Sequence, residues 1–441
     1  MTMKKNILFL FLIFVAASCA KLDTGPTQSI PANEAIQTQS DLNQALNGCY
    51  DALQLPGFYG RHTVLAAELS SDNANATGTI LEYYNISLNN LLSNNTIAES
   101  IWNACYIAIN RVNNVLYYLP NVENISDADK NDITGQLYFI RSLAYFNLVR
   151  YFGDTPLKVT PTLSTDDLDT PRSSMADVLT HIVGDLEFAS QNIGNTASGK
   201  ASSVAAQALL AKIALYDLRW ADAESYANAV INNTNYSLVA DYSSLFNSEN
   251  NTESIFEVQY NDQDKNRMAE YCFPSSLGGR YEVSPTEDLI NLFTAEDTRL
   301  NASFDGFSDK PYSIKYWQIS SGADRVYVFR LAEMYLIRAE ARIRQQSAFD
   351  GINADINAIR ERAMLEPVDL QDYDALLQEM LQQRQLEFTF EGQRWFDLIR
   401  SNLALQTLPT VNSSDQLLFP IPFAEINTNS AIGPENQNPG Y

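Results

Sequence analysis

The feature that most limits the fold is a helical period that keeps returning in pairs. Ile101, Cys105, Ile109, Val112, Leu116 and Leu119 fall on one stripe, and Leu137, Ile140, Ala144, Leu148 and Tyr151 on another. This spacing predicts two antiparallel helices, the second stopped where Gly153 can turn the chain and Pro156 prevents helix from resuming. The pattern returns at 174–191 and 203–218, from Trp220 to Ile231, and again at 329–345, 351–365 and 372–402. One helix pair cannot bury its own apolar face, so pairs must stack. The small residues of SSVAAQALLAKIALY and RLAEMYLIRAEA permit the close approach that stacking needs. No strict repeat period is present, so the expected fold class is mostly α: a tetratricopeptide-like helix-pair solenoid scaffold with degenerate pairs and insertions.

Two stretches break the period. Residues 56–100 carry Tyr59, Tyr83 and Tyr84 among many Asn and Ser, and 235–328 hold short β-type runs, SIFEVQY and Arg325 to Phe329, between Pro274, Gly278, Gly279 and Pro285. Irregular segments of this length inside a helical body point to function. The expected layout is a signal peptide at 1–18, a lipidated tether at 19–40, an N-terminal helical scaffold at 41–234 with a ligand-facing loop at 56–100, an irregular ligand-binding subdomain at 235–328, and a C-terminal helical scaffold and tail at 329–441.

The leader reading rests on Lys4 and Lys5, the apolar run Ile7 to Ala17, and the small residues Ala16, Ala17 and Ser18 before Cys19. The run falls short of the ~20 apolar residues that span a bilayer, and its exit resembles a lipobox, so Cys19 is the expected lipidation site. An anchored protein is implied, not a spanning one. The segment AKLDTGPTQSIPANEAIQTQS after Cys19 is polar and lacks an apolar period, as a tether would.

Several chemistries are disfavoured. With 53 acidic against 29 basic side chains the chain carries a net charge of −24, which makes nucleic acid an unsuitable partner and suits a neutral or cationic ligand better than a polyanion. Cys49, Cys105 and Cys272 show no C-x-x-C spacing, and the only histidines, His62 and His181, lie outside any metal motif and read as surface or turn residues. No metal or cofactor is expected. The segment Gly194 to Ala201 fits a phosphate-binding loop until Ala201 replaces the needed hydroxyl, and it follows a helix, so it reads as a turn. Asp166, Asp167 and Asp169 lack the Gly and Glu of a calcium loop and read as solvated. Arg384, Glu387, Glu391 and Arg394 stand at helical spacing, which predicts intrahelical ion pairs in preference to a hydrolytic carboxylate pair. Trp102, Trp220 and Trp395 have core-type spacing.

Taken in order, several segments resemble one family. DLNQALNGCYDAL (41–53), AAELSSDNA (66–74), WNACYIAINRVNNVL (102–116), GQLYFIRSLAYFNLVRYFGDTPL (135–157), the helix at 199–216, RLAEMYLIRAEARI (330–343), INAIRERA (356–363), RQLEFTFEGQRWFDLIR (384–400), LFPIP and the terminal QNPGY, with Cys19 at the front, are similar to the SusD-like (RagB/SusD) nutrient-binding outer-membrane lipoproteins of the Bacteroidetes. The resemblance implies four tetratricopeptide-like helix pairs carrying a variable ligand face. It also implies a lid over a SusC-type TonB-dependent barrel transporter, and capture of oligosaccharide without catalysis.

Sugar capture needs flat aromatic faces for the C–H side of a pyranose and planar polar groups for its hydroxyls. The expected ligand contacts are Tyr59, Arg61, Asp72, Asn73, Tyr83 and Tyr84 in the first irregular stretch, on a segment matching the family's ligand-facing loops. In the second they are Tyr271, Arg280, Tyr281, Tyr312, Tyr316 and Trp317. Two other functions fit the same features: peptide import, since helix-pair solenoids grip peptides, and, less well, an exported glycosidase.

Overall fold

A short polar residue stands ahead of most of the long helices. Thr38, Asn95, Ser126, Ser174, Ser202 and Asp372 each accept a backbone N–H of the first turn, satisfying donors that the helix leaves orphaned. The structure, a computed structural model, describes residues 36–194, 198–247 and 251–441. The signal segment, Cys19 and the tether up to residue 35 lie outside the described residues. So does the middle of the Gly194 to Ala201 turn.

Twelve helices carry the architecture: α1 Gln39–Asp51, α2 His62–Ser70, α3 Leu81–Ser87, α4 Thr96–Tyr118, α5 Asp127–Phe152, α6 Met175–Asn192, α7 Ser203–Tyr216, α8 Trp220–Ile231, α9 Leu331–Arg344, α10 Phe349–Arg362, α11 Tyr373–Glu387 and α12 Arg394–Arg400. They pack successively as α4 on α5, α6 on α7, α8 on α9 and α10 on α11, with α5 against α6, α7 against α8, and α9 against α10 and α11 linking the pairs. None of the described helices is long and apolar enough to cross a membrane. Gly153 ends α5 at φ +71, where a side chain would be strained and a Cβ would press Leu418. Trp102 and Trp395 are buried, and Trp220 is half-buried beneath Arg344.

The third pair is interrupted. Its helices, α8 and α9, lie side by side although about a hundred residues separate them in the chain. The whole irregular segment is therefore an insertion between two partners of one pair. Strand β2 Ser254–Val258 runs antiparallel to β4 Val326–Arg330 and draws the two ends of the insertion together at the start of α9.

Three expectations need correction. The stretch 56–100 is not a loop: it contains α2, α3 and strand β1 Ala74–Ala76. Every residue of α2 is buried, so it has no polar face and leaves no amphipathic period. The segment 372–402 is two helices, broken where Phe390 and Gly392 take positive φ. His62 is buried rather than at the surface. A smaller difference lies at the tether, which gives way to α1 at Gln39 with Thr38 as its cap.

Candidate ligand-binding face

The two irregular stretches meet. Strand β1 pairs antiparallel with β3 Val283–Pro285, Ala74 opposite Pro285 and Ala76 opposite Val283. Beyond the ladder, Thr77 donates its N–H to the Glu282 carbonyl at 3.0 Å and its hydroxyl to the Tyr281 carbonyl at 2.8 Å. Glu282 Oε2 accepts the N–H groups of Thr79 (2.8 Å) and Ile80 (3.3 Å), which holds the turn around Gly78. A Cβ on Gly78 would fall 1.9 Å from that oxygen and 2.8 Å from the Glu282 Cα, so a side chain there would displace both the carboxylate and the backbone. The turn presents Tyr84, an exposed ring whose hydroxyl donates to the Gly78 carbonyl at 3.1 Å. Opposite it Tyr281 sits at φ +54 after Gly278 and Gly279, half-buried, its hydroxyl on the Pro311 carbonyl at 3.2 Å. A non-glycine residue held at positive φ is costly, and such sites concentrate where geometry serves recognition.

Beside this turn three guanidinium groups surround one ring. The Cζ atoms of Arg61, Arg280 and Arg267 lie 4.1, 4.8 and 6.0 Å from the centre of Tyr271. Tyr83 meets Tyr271 edge-on at 6.1 Å and His62 at 6.4 Å. Arg280 pairs with Glu282 at 3.1 Å and Arg267 with Glu270. Burial, aided by neighbouring Arg61, pushes the His62 pKa down to about 3, so the ring is neutral and accepts from Arg61 Nη2 at Nε2, 3.0 Å away.

The same edge continues to a pocket. Asn266, next to Arg267, donates its backbone N–H to the Gly322 carbonyl at 2.9 Å and its side-chain amide to the Asp324 carbonyl at 2.6 Å. These bonds tie the arginine cluster to the wall of a cavity of about 430 Å³. Trp317 stands at its rim, 47% exposed, with Nε1 on the Phe246 carbonyl at 3.3 Å. Asn247, Gln259, Gln318, Asp324 and Arg325 supply polar groups around it. Burial raises the Asp324 pKa to about 6. An aromatic face with amides and a mixture of charges is what recognition of a hydroxylated ring requires, and the volume is in the range of small-molecule sites.

The predicted residues separate by exposure. Tyr84, Arg280, Tyr281 and Trp317 present surface. Tyr59, Asn73, Tyr83, Tyr271, Tyr312 and Tyr316 are buried, which corrects their expected role as direct contacts. Tyr59 stacks on Phe58 and receives Asn147, Tyr312 packs on Phe273, and Asn73 donates to Glu68 at 2.8 Å. Arg61 lies beneath the face, and Asp72 is held by Arg394 through bonds of 2.7 and 2.8 Å. Glu68, fully buried, has its pKa raised to about 7 by desolvation.

Under this face lies a structure that sequence spacing missed. Arg330 donates to Glu253 at 2.6 Å, to Glu387 at 2.7 Å and, with two nitrogens, to Glu391. Arg362 bridges Glu253 and Glu387, Lys315 reaches Glu391 at 2.7 Å, and Arg299 joins Asp297 to Glu387. The cations Arg299, Lys315, Arg330 and Arg362 equal the carboxylates Glu253, Asp297, Glu387 and Glu391 in number, and all are buried. Burial alone would raise Glu387, but Arg362 and Arg330 more than offset it and hold its carboxyl below the usual range. The intrahelical pairs expected for 384–394 are thus absent from these contacts. Arg384 pairs with Asp397 and Glu333 instead, Arg394 with Asp72, and the two glutamates with the insertion. The network clamps the insertion, through Glu253, Asp297, Arg299 and Lys315, onto the helical scaffold.

Comparison with known proteins matches this architecture. A model described as "SusD family" covers residues 305–412, and one described as "Starch-binding associating with outer membrane" covers 22–215. SusD-like protein P2 of Formosa agariphila is 25% identical over 99% of this chain and 100% of its own. A crystal structure of a SusD superfamily protein from Bacteroides vulgatus superposes with a TM-score of 0.83 at 26% identity, covering 91% of this chain and 99% of that one. A laminarin binding SusD-like protein reaches the same TM-score at 23% identity, over 92% and 100%.

Proposed function

The chain belongs to the SusD-like family, and from that membership we propose that it is a cell-surface lipoprotein, anchored through Cys19, that captures oligosaccharide and delivers it to a SusC-type TonB-dependent barrel in the outer membrane. The observation that carries the ligand class is Trp317, half exposed at the rim of a 430 Å³ pocket ringed by amides. Tyr84 and Tyr281 add aromatic surface at the β1–β3 turn. The family description as starch-binding, and structural neighbours named for laminarin and surface glycans, support sugar as the cargo.

Capture without turnover fits the pocket's chemistry. Glycoside hydrolysis generally uses two carboxyl groups facing the scissile bond, whereas Asp324 is the one carboxylate among the described residues lining this pocket. Glu387 and Glu391 are locked in buried ion pairs and have no proton to give near neutrality.

Calorimetric titration against plant, fungal and host glycans, with peptide mixtures as counter-panel, tests the reading. Saturable binding of one glycan without its breakdown is expected. Trp317→Ala should weaken it about tenfold, ~1.4 kcal/mol, with unchanged melting. Heat from peptides alone would move the function to peptide import. Cys19→Ala should release the protein from the membrane fraction; retention through lipid would sink the anchor.

A further inference from the structure

We infer that the Tyr271 end of this face recognises an anionic group on the glycan, a uronate carboxylate or a sulfate ester, held by Arg280 and Arg267 at the surface with Arg61 beneath. This rests on the sugar-capture reading and adds the chemical class of the cargo.

Charge is the first ground. The carboxylates paired to these arginines are Glu270 and Glu282, one for Arg267 and one for Arg280. Arg61 has no carboxylate in ion-pair contact among the described residues, and its side chain reaches the neutral His62 ring, the Tyr271 face and the Tyr83 hydroxyl. The cluster keeps one uncompensated positive charge in a chain whose net charge is −24. At physiological ionic strength a charge is felt over about 8 Å, so this local surplus, not the net charge of the molecule, is what a ligand at Tyr271 meets.

Unused hydrogen-bonding capacity is the second. Among the described residues, Arg61 Nε, His62 Nδ1 and the Tyr83 hydroxyl, which faces Arg61, are buried without a well-formed hydrogen bond, although buried polar groups are nearly always paired. Arg61 is 9% exposed, His62 7% and Tyr83 1%, and all belong to this one cluster. With Nε2 of His62 accepting from Arg61, its proton resides on Nδ1, so these buried atoms form a donor-rich layer beneath the exposed guanidinium groups and not direct contacts of the ligand. An anion is the ligand that donors and a surplus guanidinium have in common.

Position is the third. Arg280 and Arg267 have side chains 40% and 49% exposed, so the charge is approachable. Arg150 gives the contrast. It also lacks an ion-pair partner among the described residues, but its guanidinium lies 4.6 and 4.2 Å from the rings of Phe146 and Phe396, beside a crevice of only about 20 Å³. An unpaired arginine there is packing. The Tyr271 cluster opens to solvent through Arg267 and Arg280, and Asn266, next to Arg267, ties it to the wall of the Trp317 pocket.

The test uses matched probes on the full chain: a galacturonate tetramer and its fully methyl-esterified form, a sulfated galactan oligosaccharide and its desulfated form, with free glucuronate and inorganic sulfate as small anions. An acidic or sulfated member should bind, its neutralised twin should lose at least tenfold, and affinity should fall as salt rises. Arg280→Ala, at an exposed position, should reproduce the loss; Arg61→Gln should do the same if it folds. Equal binding of acidic and neutral twins, or a glycan affinity untouched by Arg280→Ala, would overturn the anion while leaving sugar capture intact. Silence toward every glycan and both small anions, with acidic peptides bound through Arg280, would remove both readings and assign the cluster to peptide carboxylates. Silence toward all probes would remove both as well.

Discussion

Arginines gather in two places in this molecule, around Arg330 and around Tyr271, and the two clusters are built to opposite rules. At Arg330 every guanidinium meets carboxylates, charges balance, and the side chains are buried. At Tyr271 guanidinium groups outnumber carboxylates, and two of the side chains reach solvent. The first arrangement binds the insertion to the scaffold and leaves nothing for a ligand. The second holds capacity in reserve. Residue type therefore says little about role here; the local balance of charge and exposure decides it.

The largest effect that separates the two clusters is expected at the closed one. Arg330→Met removes the cation common to Glu253, Glu387 and Glu391 and leaves buried carboxylates under-compensated, which should cost about 3–5 kcal/mol of stability. The shift of the urea midpoint measures it. A loss under 1 kcal/mol would mean that the network is not the clamp between insertion and scaffold.

Carboxylates sharpen the comparison through pH. Glu68, beside the ligand face, has its pKa raised by burial from 4.5 to about 7, so between these values the folded state keeps a proton that the unfolded chain has released. Stability from this group therefore falls as pH rises through that window, by up to about 3 kcal/mol, and is flat outside it. Glu387 and Asp397 act in the reverse sense. Their arginine partners outweigh burial and hold them below the usual range, so their contribution is present near neutrality and lost as the solution turns acid. Unfolding curves from about pH 2 to 8 should show both limbs, the acid one below the ordinary carboxylate range, and Glu68→Gln should flatten the neutral limb alone. Persistence of that limb in the variant would assign it elsewhere.

What could be read from the residues follows the same division. Helix α4 was legible because a half-buried helix writes a stripe into the sequence, whereas α2, buried all round, writes none. The network was invisible because Arg330 lies 57 and 77 positions from Glu387 and Glu253, and helical spacing proposes only near neighbours. Within the site, composition located the two stretches, and β1 with β3 brought them together as a site would require. Which ring faces outward was another matter: Tyr83 is 1% exposed and Tyr84, its neighbour on a two-turn helix, 37%. A helix that short has too few apolar positions to fix its phase.

The smallest expected effect is the most discriminating. Arg280→Ala removes a guanidinium of the same chemistry as Arg330, but one whose side chain is 40% exposed and whose partner, Glu282, keeps the Thr79 N–H at 2.8 Å after the loss. Exposed pairs contribute about 0–1 kcal/mol, so its urea midpoint should stay close to that of the unchanged protein even where glycan affinity collapses. If instead Arg280→Ala destabilised the fold as Arg330→Met does, the open cluster would be a second structural clamp, and its unpaired donors would have to be explained by architecture rather than by a ligand.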